Sequence, residues 1–171
     1  MKTWNQAAAA AARKIFEFYY PMSPARDALD FLKIELEYVI DIAMCDDCRV
    51  PVVHWQKIGT AALVLGVAAG IFPENFENLE PEVAAVLVRK QLDYGPNNIL
   101  RFGSTGLAVR VYDKISRLEN LMTSGETPNN ESLRDNCLDV IGYAAIGMMF
   151  EAGEFTLPIE KISPEVVVTA F

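Results

Sequence analysis

The chain is poor in the residues that most often build a catalytic or metal centre. It has one histidine, His54, and three cysteines, Cys45, Cys48 and Cys137. A Ser-His-Asp or Cys-His device would have to use His54, and no GxSxG nucleophile motif is present to serve it. A closed zinc site would need all of Cys45, Cys48, Cys137 and His54; the bland alternative for Cys45-Asp46-Asp47-Cys48 is a helix end carrying two small side chains. An odd cysteine count with no secretory pattern points to a reducing, cytoplasmic setting. The N-terminal MKTWNQAAAAAARKIFEF is Ala-rich without a strongly apolar stretch, which predicts a helix and not a signal peptide.

Long apolar runs are also missing. The most apolar stretch, 58–72, is about 15 residues, short of the ~20 that span a bilayer, so a buried core helix is expected and no membrane partner. Basic charge is scarce: the net charge is −8, which excludes duplex nucleic acid as a partner held by the bulk field. A local basic patch could still hold a small phosphorylated ligand. No Walker-type or dinucleotide fingerprint occurs.

What the sequence does have is a core. Of its 171 residues, 51% are hydrophobic and 22% charged, enough to fold without disulfides or a structural metal. Proline and glycine divide it into helical lengths. Helices are expected at about 3–20, 25–45, 53–71, 81–94, 107–122 and from a cap at Asn129 or Asn130 to about 151. Ser23 is the expected cap of the second, with Pro24 at its first position. The glycine-rich 95–106 reads as a loop with one helical turn near 97–101. The fold class is therefore all-α, a single-domain bundle of about six helices over 1–171 with a short C-terminal strand or arm around Val166 to Val168.

The polar block lies between Lys90 and Tyr143. In the fifth helix Arg110, Asp113, Lys114 and Arg117 fall at i, i+3, i+4 and i+7, within an arc of roughly 100°. The apolar stripe Leu107, Val111, Ile115, Leu118, Met122 is centred roughly 110° away, so the charged strip flanks the core. Such a strip is either an exposed face laced with ion pairs or a phosphate grip. In the sixth helix Glu131, Asp135 and Asp139 cover roughly 80°, and the arc continues through Gly142, Ile146 and Met149. Asp139 should thus be partly buried, and a buried carboxylate needs a cation, a metal or several donors. Two readings follow: Asp135 and Asp139 pair with Lys114 and Arg117 as an interhelical network, or Glu131, Asp135 and Asp139 hold a divalent metal, for which magnesium suits an oxygen-only set. Lys90, Asp93 and Tyr94 add polar groups just before the glycines.

The ordered set Lys90, Asp93-Tyr94-Gly95, Phe102-Gly103, Gly106, Arg110, Asp113-Lys114, Arg117-Leu118, Asn120-Leu121, Glu131, Asp135, Asp139 and Gly142-Tyr143 resembles the phage and bacterial nucleotide modification associated domain 1 family, over about 85–150. That resemblance implies a link to modified nucleotides and, for a viral chain, residence in the host cytoplasm. The helical layout is also similar to the MazG-like all-α nucleotide pyrophosphohydrolases, which hold magnesium between an ExxE and an ExxD helix. Here Asp113 is followed by Lys114 and Arg117 where that pattern has acids. The resemblance implies magnesium-dependent cleavage of a nucleoside triphosphate to monophosphate and diphosphate. Asp113, Asp135 and Asp139 would be catalytic, Glu131, Asp135 and Asp139 would bind the metal, and Lys90, Asp93, Tyr94, Arg110, Lys114, Arg117 and Tyr143 would bind the nucleotide. The rivals are a module that binds or sequesters a nucleotide unchanged and a structural helical oligomer.

Finally, the apolar third helix, the aromatic end of the first (Ile15, Phe16, Phe18, Tyr19, Tyr20) and the arm with Val166 to Val168 and Phe171 are more than one bundle of this length is expected to hide. They predict a homo-oligomer, most simply a two-fold dimer.

Overall fold

A computed structural model describes residues 1–45, 48–75, 78–125 and 131–160. Six helices follow one another: α1 Trp4–Glu17, α2 Ala25–Ala43, α3 Val52–Ala68, α4 Leu79–Tyr94, α5 Asn97–Ser124 and α6 Leu133–Glu151. No strand occurs among the described residues, and no described helix is long and apolar enough to cross a membrane. The expected strand or arm at Val166 to Val168 lies outside the described residues.

The axis of the bundle is α3. Every residue from Ile58 to Leu65 is buried, as is Gly66, because α1, α2 and α6 all pack on it. Small residues bring these helices close. Gly147 of α6 lies against the Trp55 indole, and Gly59 of α3 lies against Ile15 of α1. Here the expectation of a third helix covered by a second copy is corrected. The chain covers α3 itself, because α1, α2 and α6 share that one apolar rod. Of the aromatic end of α1, Phe16 is buried while Phe18 and Tyr20 are exposed.

Helix ends follow local chemistry. Thr3 accepts a hydrogen bond from Gln6 N–H, and the Gln6 side chain accepts one from Thr3 N–H, a reciprocal cap for α1. Gly95 and Gly125, both at φ 65°, end α4 and α5 in a conformation that L side chains rarely adopt. At α2 the expected cap shifts by one residue: Pro24 itself holds the N-cap position, after a cis Ser23–Pro24 bond, and no side chain caps the helix. The sixth helix is capped by Ser132, not by Asn129 or Asn130, which lie outside the described residues.

The largest departure is in 95–106. Helix begins at Asn97 and runs through to Ser124, broken only at Gly103, whose φ of 53° and ψ of −144° are non-helical. Of the glycines expected to make a loop, only that one breaks the helix; Gly106 is helical. The chain after α6 folds back on α1. Trp4 N–H donates to Pro158 C=O at 2.9 Å, and Asn5 exchanges two hydrogen bonds with the Glu160 backbone.

Candidate functional site

The polar block forms where α4, α5 and α6 meet. Lys114 of α5 points toward α6. Its ammonium donates to Glu131 at 2.6 Å and to Asp139 at 2.9 Å. Lys90 of α4 reaches the other Asp139 oxygen at 2.6 Å, and Arg117 reaches Glu131 at 3.1 Å. Two carboxylates and three cations from separate elements thus form one chain: Lys90, Asp139, Lys114, Glu131, Arg117. The centre is the driest part, with side-chain exposure of 12% for Lys114 and 16% for Asp139.

Periodicity explains this placement. Lys114 flanks the buried Val111, Ile115 and Leu118 stripe, and Asp139 stands beside buried Val140 and one turn before Gly142. Burial alone would push the Lys114 ammonium toward neutrality. Its hydrogen bonds to Glu131 and Asp139 outweigh that, so its pKa is raised above the usual lysine value. A raised folded value means the network's contribution is complete below the unfolded lysine value of about 10.4 and is lost as pH climbs through the Lys114 value.

The network reading placed Asp135 beside these cations, and there the pairing differs. Glu131, not Asp135, bonds to Arg117 and Lys114. Asp135 is the third residue of a reciprocal cap: one of its oxygens accepts from both Ser132 N–H, at 3.0 Å, and Ser132 O–H, at 2.7 Å, while Asp135 N–H donates to Ser132 Oγ. The Ser132 hydroxyl and amide bonds hold the Asp135 carboxyl below its usual value. Its stabilising effect is therefore present above the unfolded value and is lost as pH falls through the lowered one. Ser132→Ala removes both hydroxyl bonds and leaves the backbone N–H of residue 132 on Asp135, and thermal melts should show a loss of about 1 kcal/mol.

The remaining candidates stand apart from the ion pairs. Asp113 and Asp93 are exposed, Tyr94 is among the most exposed aromatics, and Arg110 is half-buried; none of the four has an ion pair among the described residues. Tyr143 is half-buried and lines an apolar slot of about 30 Å³ between α4 and α6, together with Val83, Leu87, Lys90, Asp139 and Ile146. The structure therefore joins Lys90, Lys114, Arg117, Glu131, Asp139 and Tyr143. It does not gather Glu131, Asp135 and Asp139 into one metal cradle: two are spent on cations and the third on the helix cap, and no group of three or more metal-ligating residues occurs among the described residues.

Two buried carboxylates escaped the sequence reading. Glu35, with side-chain exposure of 5%, accepts from Lys57 at 3.1 Å and lies 3.1 Å from His54 Nδ1. Glu151, at 6%, accepts from the Ser104 hydroxyl and faces Arg49. Each continues an apolar stripe: Glu35 sits among Leu32, Leu36 and Val39, and Glu151 follows Ala144, Gly147 and Met148. That position on the helical wheel was the available signal. The zinc set is not assembled. Cys45 and Cys48 are bonded to each other, Cys137 is buried in the core with its thiol pushed up to about 12 by desolvation, and His54 is engaged with Glu35.

Comparison with known proteins finds no family model, no curated protein and no solved structure that matches this chain.

Proposed function

We propose that the Lys90–Tyr143 block binds a nucleotide, with phosphate oxygens entering among Lys90, Lys114 and Arg117. The observation that carries this reading is the convergence of three cations, from α4 and α5, beside an apolar slot that includes an aromatic ring. A fixed cation cluster on an otherwise acidic protein suits a compact anion, and a guanidinium and two ammonium groups are the usual phosphate donors. The slot is too small to swallow a base, so a base would lie across its mouth against Tyr143 and Ile146. The ordered polar residues that resemble the nucleotide modification associated domain 1 family point to the same ligand class. The setting this implies is cytoplasmic.

Of the activities expected from sequence, unaltered binding fits this geometry better than hydrolysis. Glu131, Asp135 and Asp139, engaged with Lys114 and Ser132, do not fit a magnesium cradle. One observation favours keeping cleavage as the second reading: Glu131 and Asp139 both meet at the Lys114 ammonium, a position where two carboxylates already share one positive charge.

Calorimetric titration with nucleoside mono-, di- and triphosphates, with chelator or with magnesium, tests both. The binding reading expects affinity indifferent to chelator, weakened by salt, and recovery of intact ligand by chromatography. Lys114→Met should cost at least about tenfold in affinity, about 1.4 kcal/mol. Magnesium-dependent release of diphosphate would favour cleavage. Absence of binding by every nucleotide in the panel would overturn the proposal.

A further inference from the structure

We propose that Cys45 and Cys48 form a reversible thiol–disulfide exchange site, open to small thiols through the cleft that lies between the α2–α3 connection, the Gly103 bend and the end of α6.

Three observations place the chemistry there. First, the two sulfurs are bonded, and both residues are exposed. Second, the bond spans a sequence separation of only three and joins two residues whose backbones already share a Cys48 N–H to Cys45 C=O hydrogen bond at 3.2 Å. A bridge between residues only three apart restrains little of the unfolded chain and joins no two helices. The neighbouring elements are held by other means: Thr105 O–H donates to Ala43 C=O at 2.8 Å, and Arg49 donates to Glu151 C=O at 3.1 Å. A bond with no part in holding the fold is free to break and re-form. Third, both cysteines line a cavity of about 530 Å³, with Arg49, Ser104, Thr105 and Glu151. Its wall is built: the nearly buried Glu151 carboxylate takes the Ser104 hydroxyl on one oxygen and lies 3.5 Å from Arg49 Nε with the other. The cavity has room for a small thiol beside the sulfurs.

The exchange balances without any further reagent. The thiolate of a small thiol attacks one sulfur of the pair. A mixed disulfide forms as the Cys45–Cys48 bond breaks, and the displaced cysteine leaves as a thiolate that takes a proton from water. A second small thiol then attacks the mixed disulfide. The protein ends with two thiols, and the two small thiols end as one disulfide; the reverse sequence restores the bond.

The full-length protein, equilibrated in mixtures of reduced and oxidised glutathione and quenched with N-ethylmaleimide, reports the state of each sulfur by intact mass. The labels should rise from none to two as the mixture becomes more reducing. The core thiol of Cys137 is the internal control and should label only after denaturation. Cys48→Ser should trap a single glutathione adduct at Cys45. Circular dichroism melts should be nearly the same at both ends of the series. Two labels in every mixture, no label in any mixture, or unfolding on reduction would each overturn the proposal. Mercaptoethanol run in parallel separates exchange with small thiols in general from recognition of glutathione: matched behaviour is expected, and exchange with neither would also sink the site.

Discussion

Gly147→Val should be strongly destabilising, costing about 3 kcal/mol or more and lowering the melting temperature by about 10 °C. A Cβ at this position would come within 2.6 Å of Trp55 Cε2 and 2.7 Å of its Cγ. Neither side can yield. Trp55 is fully buried on α3, the helix enclosed by the rest of the bundle, and its large ring has no empty volume to rotate into. The α3–α6 contact is also the most extensive in the fold, so separating these helices to admit a branched side chain opens the core along its length. Gly147→Ala gives the graded version. Alanine gains about 1 kcal/mol of helix propensity over glycine, so a net loss there measures the clash against a known opposing gain. Trp55→Leu in the Gly147→Val background should recover part of the loss, because the two changes share one contact. Thermal and urea melts check all four proteins. A Gly147→Val variant as stable as the parent would mean that α3 and α6 do not pack through this position.

The same contact shows what a one-dimensional reading captures. The helical register of α3 is plain in the sequence, and so is its lack of a polar face. What surrounds it is not: an all-apolar helix needs cover on every side, but nothing local says whether the cover comes from the same chain or from another copy. Gly59 and Gly147 would have been the clue, since glycines inside apolar helices cost stability unless something large must come close. The glycine-rich 95–106 failed for a different reason. Gly95, Gly103 and Gly106 look alike in composition, yet they end a helix, bend one and sit inside one, respectively. Gly103 packs against Phe150 of α6, Gly106 lies against Phe102 of its own helix, and Gly95 faces open space. In the polar block, Lys114 and Asp139 were legible because each borders an apolar stripe, and a charge at that border must find a partner; Glu131 lies before the Ser132 cap, and its pairing with Lys114 and Arg117 was not expected. Asp135 was legible only as an acid. Its engagement depends on where α6 begins, and a cap shifted to Ser132 turns a candidate ligand into a capping residue.

Asp139→Asn should separate a binding block from a purely structural one, because the two predict different second readouts. The substitution keeps shape and removes charge from the residue that joins Lys90 to Lys114. Stability should fall at neutral pH. Breaking a fully buried pair costs about 3–5 kcal/mol, and an exposed one about 0–1. Asp139 and Lys114 lie between those limits, and Lys114 retains Glu131, so about 1–2 kcal/mol is expected, a drop of about 3–6 °C in melting temperature. The deficit should shrink as alkaline pH passes the raised Lys114 value, since a neutral amine no longer needs the carboxylate. Nucleotide affinity should move the other way. In the parent, a phosphate must displace Asp139 from two ammonium groups and approach against its negative charge. Without that charge, Lys90 and Lys114 are offered to the ligand, and affinity should rise about tenfold, about 1.4 kcal/mol, most clearly at low salt. Lys114→Met is the matched control: it removes the shared cation, so it should lower affinity whatever it does to stability. Melts and calorimetry on the three proteins decide the case. Lower stability with tighter nucleotide binding supports phosphate entry among these cations, whereas lower stability with no nucleotide bound by any of the three would make the block an ion-pair network that only holds α4, α5 and α6 together.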